Sequence, residues 1–239
     1  MTELLCLKKL SVWFSDQEQR EFPALEEAVV KEVDLAIETG ETVALVGESG
    51  SGKTVTALTI LRLLETIGQI RHRGEILFQG RDILGLEDKS LRNLRGNDIA
   101  MIFQEPMTSL NPVFTVGNQI MEPLILHRGM SRREAHRQAI TLLHKTGIHE
   151  PENKILSYPH QLSGGQRQRM MIAMAIACQP KLLIADEPTT ALDVTVQAQI
   201  LALLQTIQAE SGMAILLITH NLPIVKEIAD SIHIMHQGK

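Results

Sequence analysis

The run Gly47-Glu48-Ser49-Gly50-Ser51-Gly52-Lys53-Thr54 follows the apolar stretch Val43-Ala44-Leu45-Val46 and precedes residues 55–64, which read as an amphipathic helix. Strand, glycine loop and helix in that order leave the chain little freedom. Glycines let backbone N–H groups curl around an anion, and the helix N-terminus adds the positive end of its dipole. Gly47, Ser49, Gly50, Ser51 and Gly52 therefore read as a phosphate cradle, with Lys53 on the β- and γ-phosphates and the Thr54 hydroxyl on Mg²⁺. The competing reading is a glycine-rich turn that binds nothing. With glycine near 7% of residues, a chance match in a chain of this size has odds of about 1%. A nucleotide is the expected ligand.

The composition accommodates such a site. A chain of 239 residues at 44% hydrophobic content can bury a substantial core, as one large domain or one domain with an inserted lobe. Residues 170–178 are among the longest apolar runs, far short of the roughly 20 residues that span a bilayer. Met1-Thr2-Glu3-Leu4 has neither a basic nor an apolar leader region, so a cytoplasmic chain is expected. Cys6 and Cys178 lie far apart in no paired spacing, which argues against a disulfide framework or a metal site. A net charge of −5 and a pI near 6.0 have the wrong sign for a protein that coats nucleic acid.

Along the chain, residues 4–14 and 29–37 are strand-like, and the polar, acidic residues 15–27 between them read as a surface loop. Trp13 and Phe14 form an aromatic pair that either packs or stacks on a purine. Gln79-Gly80 joins strands 71–78 and 81–84 as a hairpin turn, and residues 99–103 form a buried strand. From there to about residue 160 the texture is helical, with helices at 116–126 and 131–146, the second opened by the capping-box pattern Ser131-Arg132-Arg133-Glu134. Arg128, Arg132, Arg133 and Arg137 read as a solvated basic face, because no aromatics interleave. Met170, Met171 and Met174 in the helix expected at 167–178 read as core filler. Strands 182–185, 214–219 and 231–236 then alternate with helices 194–211 and 222–229. Continuous apolar strands alternating with helices imply an α/β fold with a parallel sheet covered on both faces.

Asp186-Glu187 ends such a strand, where ligands sit in doubly wound sheets. Successive strand side chains point opposite ways, so the two acids can divide the work. Asp186 reaches Mg²⁺, and Glu187 positions the attacking water. The run Leu162-Ser163-Gly164-Gly165-Gln166 supplies a second anion-receptive helix start, with the Ser163 hydroxyl as an extra donor. Its chance occurrence is on the order of a few in ten thousand.

With that run the sequence resembles the ATP-binding cassette family, whose signature is Leu-Ser-Gly-Gly-Gln, and the match extends over nearly the whole chain. The resemblance implies a P-loop NTPase core with a mostly parallel sheet, N-terminal antiparallel strands and an inserted helical lobe. Residues 1–104 and 165–239 would form the core and 105–164 the lobe. It makes Gln104 the Q-loop residue at the hinge and a further Mg²⁺ contact. It also makes Ala191-Leu192-Asp193 the D-loop and His220 the switch histidine, with Ser163, Gly164, Gly165, Gln166 and Asp193 contacting nucleotide. Within the family, residues 46–53 and 103–112 are similar to the ATPase subunits of bacterial importers of dipeptides, oligopeptides, glutathione, nickel and microcin C. By that likeness Phe14 stacks adenine, with Trp13 as the fallback. Loop 15–27 looks longer and more acidic than in those subunits. They also continue beyond the strand at which this chain stops, so it is either shortened or the first half of a tandem cassette protein.

The implied function is ATP hydrolysis, with ATP and Mg²⁺ as cofactors, driving uptake of peptides or a related small solute. The implied partners are a second cassette bound head to tail, transmembrane permease subunits at the cytoplasmic face of the inner membrane, and an upstream substrate-binding protein. No nucleic acid is expected. The rival is an ATPase of the same superfamily acting on DNA or ribosomes. DNA-acting members separate the phosphate loop from the signature by long coiled coils, and no sustained heptads separate Lys53 from Ser163.

Overall fold

The computed structural model describes residues 3–14, 22–66, 70–104, 109–190 and 192–239. Its contacts fall into two units, Met1–Arg92 with Ala214–Lys239, and Asn93–Met213.

In the first unit, β1 (Glu3–Phe14) runs antiparallel to both β2 (Val30–Glu38) and β4 (Ile70–Phe78), and β5 (Arg81–Asp82) completes the order β2-β1-β4-β5. Gln79 and Gly80 both have positive φ, 49° and 75°, which suits a two-residue hairpin turn between Phe78 and its partner Arg81. β1 does not alternate simply. Leu4 through Leu7 are all buried, as are Leu10 through Trp13, so both faces of the strand are covered along these runs, and the register with β4 slips between Lys8 and Ser11. Lys9 there takes φ 47°, and its N–H leaves the ladder for Asp34 Oδ1 at 2.8 Å.

The same unit holds a parallel group. β3 (Thr42–Val46) pairs with β8 (Ala214–Thr219) on one side and β9 (Ser231–Ile234) on the other. Every residue of β3 and β8 is buried, as expected of parallel strands covered on both faces. In β9 alternate residues are exposed. Val225 of helix Leu222–Ile228, with Ala229 after it, packs on Ala44 and Val46. The helix after β3 covers Lys53–Ile60 rather than 55–64. It stops because Arg62 turns to φ 52°, where its guanidinium grips Glu65 through two 2.8 Å bonds and Leu86 O through a third of 2.6 Å. The short helix Asp88–Leu94, which buries Leu91 and Leu94, carries no apolar stripe long enough to read beforehand.

In the second unit, β6 (Ile99–Ile102) pairs in parallel with β7 (Leu182–Asp186), whose five residues are all buried. The helices are Val116–Arg128, Arg132–Lys145, Pro151–Lys154, Gly164–Ala175 and Val194–Ser211. Arg132–Lys145 buries Ala135, Ala139, Leu142 and Leu143, one helical stripe, and opens with the Ser131–Glu134 capping box. Arg132, Arg133 and Arg137 are exposed, and Arg128 donates to Cys178 O. Met170 and Met171 are core residues, whereas Met174 is half-buried and lines a groove with Phe114, Met121 and Ile125. No helix among the described residues is long and apolar enough to cross a membrane.

Candidate active site

The glycine loop leaves β3 at Gly47, turns through a Ser51 N–H bond to Glu48 O (3.2 Å), and enters the helix at Lys53. Lys53 is only 6% exposed. Its ammonium is drawn back across the loop, donating to Gly47 O and Glu48 O at 2.8 Å each and to Ser51 Oγ at 3.3 Å. The rim is different in character, with Glu48, Ser49, Gly50 and Thr54 exposed. The loop thus pairs a buried positive charge with an open mouth, the arrangement a polyphosphate requires. Gly52 holds the junction at φ 102°, ψ 0°. A Cβ there would stand 2.8 Å from Val29 O and 2.9 Å from Met235 Cε, so no side chain fits without movement.

The loop is braced from behind by the last residues of the chain, for which the sequence offered no signal. Met235 N–H donates to Val46 O at 2.7 Å and Gly238 N–H to Ser51 O at 3.1 Å, while Gly238 O accepts from Lys31 N–H at 2.7 Å. In the same unit, His220 is exposed directly after β8. Phe14, at the end of β1, is 56% exposed, and its ring is available for stacking. Trp13 is not a fallback. It is 2% exposed, its Nε1–H donates to Ala24 O at 3.0 Å, and Phe22 meets its ring edge-on at 5.4 Å. Residues 15–21 of the acidic loop lie outside the described residues.

In the second unit, Asp186 is the last residue of β7 and is 2% exposed. The expected pleat alternation between the two acids does not occur, because the strand ends at Asp186 and Glu187 takes φ 45°. A non-glycine residue in that left-handed region costs roughly 1–2 kcal/mol, a strain typical of functional turns. The departure delivers the Glu187 carboxylate to two donors. Its Oε2 accepts from Gln104 Nε2 at 3.0 Å and from Thr190 Oγ1 at 2.8 Å. Gln104 and Glu187 are 83 residues apart in the chain, and the fold brings them together. Thr190 was not singled out from sequence, since a threonine in a turn carries no chemical signal of its own.

The signature run starts helix Gly164–Ala175. Ser163 Oγ accepts from Gln166 N–H at 3.3 Å, and Gln166 Oε1 accepts from Ser163 N–H at 3.1 Å, a reciprocal capping box. The Ser163 hydroxyl keeps its own proton to donate. Gly164 and Gly165 lie against Leu192 and Val196, which places the signature beside the turn that carries Asp193. Asp193 caps helix Val194–Ser211, its Oδ1 accepting from Val196 N–H at 2.9 Å. Ala191 lies outside the described residues. No cluster of three or more His, Cys, Asp or Glu that could hold a metal occurs among the described residues. The Thr54 hydroxyl and the Asp186 carboxylate are oxygen donors of the kind Mg²⁺ accepts.

Several known proteins resemble this chain. BMEII0863 of Brucella melitensis, named provisionally as a peptide import ATP-binding protein, is 55% identical over 221 residues, 90% of this chain and 65% of its own length. The glutathione import ATP-binding protein GsiA of Pectobacterium atrosepticum is 50% identical over 238 residues, 98% of this chain and 37% of its own length. The chain thus spans less than two thirds of these relatives. Among solved structures, MJ0796, a bacterial ABC transporter cassette, aligns with a TM-score of 0.80 at 30% identity, covering 98% of this chain and 95% of that one. It has been determined as a dimer, and also in a post-hydrolysis state bound to ADP and Pi. The ABC transporter family model matches residues 30–190, well over half the chain. With an α/β cassette fold, a glycine loop closed by a buried lysine and a capped signature helix all present, this chain belongs to the ABC transporter family.

Proposed function

We propose that this chain binds and hydrolyses ATP with Mg²⁺, and that hydrolysis energises uptake of peptides or a related small solute through membrane-spanning partner subunits. The observation that carries the reading is the Lys53 ammonium, buried at a helix N-terminus inside the glycine loop, where it donates to Gly47 O, Glu48 O and Ser51 Oγ. An ammonium set within a glycine loop at a helix N-terminus is placed to form charge-assisted hydrogen bonds with a phosphate there.

In this reading Lys53 neutralises the β- and γ-phosphate oxygens, and the backbone of residues 47–52 supplies further donors. The Thr54 hydroxyl and the Asp186 carboxylate would hold Mg²⁺, with Gln104 as a third contact, and the ion would neutralise phosphate charge. Bound Mg-ATP supplies the phosphoanhydride bond. Glu187 orients the attacking water and takes up its proton. His220 faces the γ-phosphate, and Phe14 stacks on adenine. Ser163, Gly164, Gly165 and Gln166 act on the nucleotide of a second cassette bound head to tail, with Asp193 beside them. The dimeric structure of MJ0796 supports a second cassette as partner, and the import names of the relatives support the direction of transport. A permease, a substrate-binding protein and a position at the cytoplasmic face of the membrane follow from the same reading.

Isolation from native membranes in mild detergent tests it. Membrane-spanning subunits should co-purify, and the complex should hydrolyse ATP in a Mg²⁺-dependent manner. Recovery with DNA or ribosomes in a salt-sensitive complex, and without membrane subunits, would refute it.

A further inference from the structure

We infer that Thr190 is a positioning residue for Glu187, the donor that aims its carboxylate from within the same turn. The inference rests on the reading of Glu187 as the group that aligns water. Both donors act on one oxygen, Oε2, but they are not equivalent. The bond from Thr190 is shorter, 2.8 Å against 3.0 Å, and partly buried, whereas that from Gln104 is exposed to water. Water competes with an exposed hydrogen bond far more effectively than with a sheltered one.

The two donors also differ in how they are tied to their acceptor. Thr190 belongs to the same turn as Glu187, closed by its own N–H on Glu187 O at 3.1 Å. The turn is fastened again by Gln197, whose Nε2 donates to Thr189 O at 3.0 Å and to Leu192 O at 3.1 Å. Gln197 lies on helix Val194–Ser211, so that helix anchors the carbonyls of Thr189 and Leu192. Thr190 and Glu187 are thus joined by two hydrogen bonds within one turn, one from backbone and one from side chain. Gln104 reaches the carboxylate from just beyond the end of a different strand, β6. A left-handed backbone at Glu187 demands such support, since a strained residue persists only where its surroundings over-determine it.

The test is a set of steady-state and single-turnover ATPase measurements on the full chain. Thr190→Val should lower kcat roughly tenfold, the scale on which outer hydrogen bonds to functional groups act, with KM for ATP within about twofold. Thr190→Ser, which keeps the hydroxyl, should restore most of the rate. Thr190→Ala carries the same expectation as valine, should the branched replacement not fold. On a Glu187→Gln background, Thr190→Val should add nothing, because it acts through the carboxylate. Wild-type kcat in both Thr190→Val and Thr190→Ala, or an equal loss in Thr190→Ser, overturns the inference. So does a further tenfold loss on the Glu187→Gln background. If Glu187→Gln itself retains full activity, the role of Glu187 falls and Thr190 with it. If Glu187→Gln is inactive while the hydroxyl deletions are not, only the role of Thr190 falls.

Discussion

Replacing Gly52 by alanine should cost the nucleotide-free protein far more than replacing its neighbour Gly50, although both have positive φ, 102° and 78°. Alanine in a left-handed conformation costs about 1–2 kcal/mol at either site. Against this, alanine restricts the unfolded chain and returns about 0.4–1 kcal/mol. At Gly50 nothing lies within 4 Å of the new Cβ, so the balance stays near 1 kcal/mol. At Gly52 the Cβ meets Val29 O at 2.8 Å and Met235 Cε at 2.9 Å. The methionine end can swing aside, but the carbonyl belongs to backbone next to β2 and cannot do so cheaply. Overpacking of this kind adds about 1–3 kcal/mol, for a net loss near 3 kcal/mol. For a chain of this size each kcal/mol lowers Tm by about 2–4 °C. Thermal melts followed by circular dichroism should show Gly52→Ala about 6–12 °C below wild type and Gly50→Ala about 2–4 °C below. A difference between the two variants under about 2 °C would refute the claim that Val29 and Met235 wall in the loop.

Three further outcomes follow from the site. Glu187→Gln preserves an acceptor for Thr190 but cannot take a proton, so Mg-ATP should still bind while hydrolysis falls about 10²-fold or more; near-normal turnover would remove Glu187 from its role. Lys53→Ala deletes a charged donor whose single bonds are each worth about 1.5–3 kcal/mol, so ATP affinity measured by calorimetry should drop at least roughly tenfold. Unchanged affinity would count against the phosphate loop. Lys53→Ala chains mixed with Ser163→Arg chains should regain activity that neither has alone, because one heterodimer contains one intact composite site. A mixture that stays inactive while heterodimers demonstrably form means that Ser163 serves its own chain.

Much of this protein is readable from consecutive residues, because the rules that govern them act over a few positions. The glycine loop, the reciprocal cap at Ser163 and Gln166, the cap at Ser131 and Glu134 and the turn at Gln79-Gly80 all satisfy backbone groups within about four residues. The buried stripe Ala135, Ala139, Leu142 and Leu143 follows from helical period alone. Tertiary structure decided what those rules do not reach. It buried Trp13, whose indole N–H donates to Ala24 O, and left Phe14 exposed, although the two rings are neighbours in sequence. It set the last residues, Met235 to Gly238, beneath the phosphate loop, and it brought Gln104 to Glu187 across 83 residues. It also bent Glu187 out of the strand toward Thr190, where pleat geometry alone would have kept it in line. Partners so far apart in the chain meet only after strands have paired and helices have packed, so their hydrogen bonds are properties of the assembled fold and not of any local run of residues.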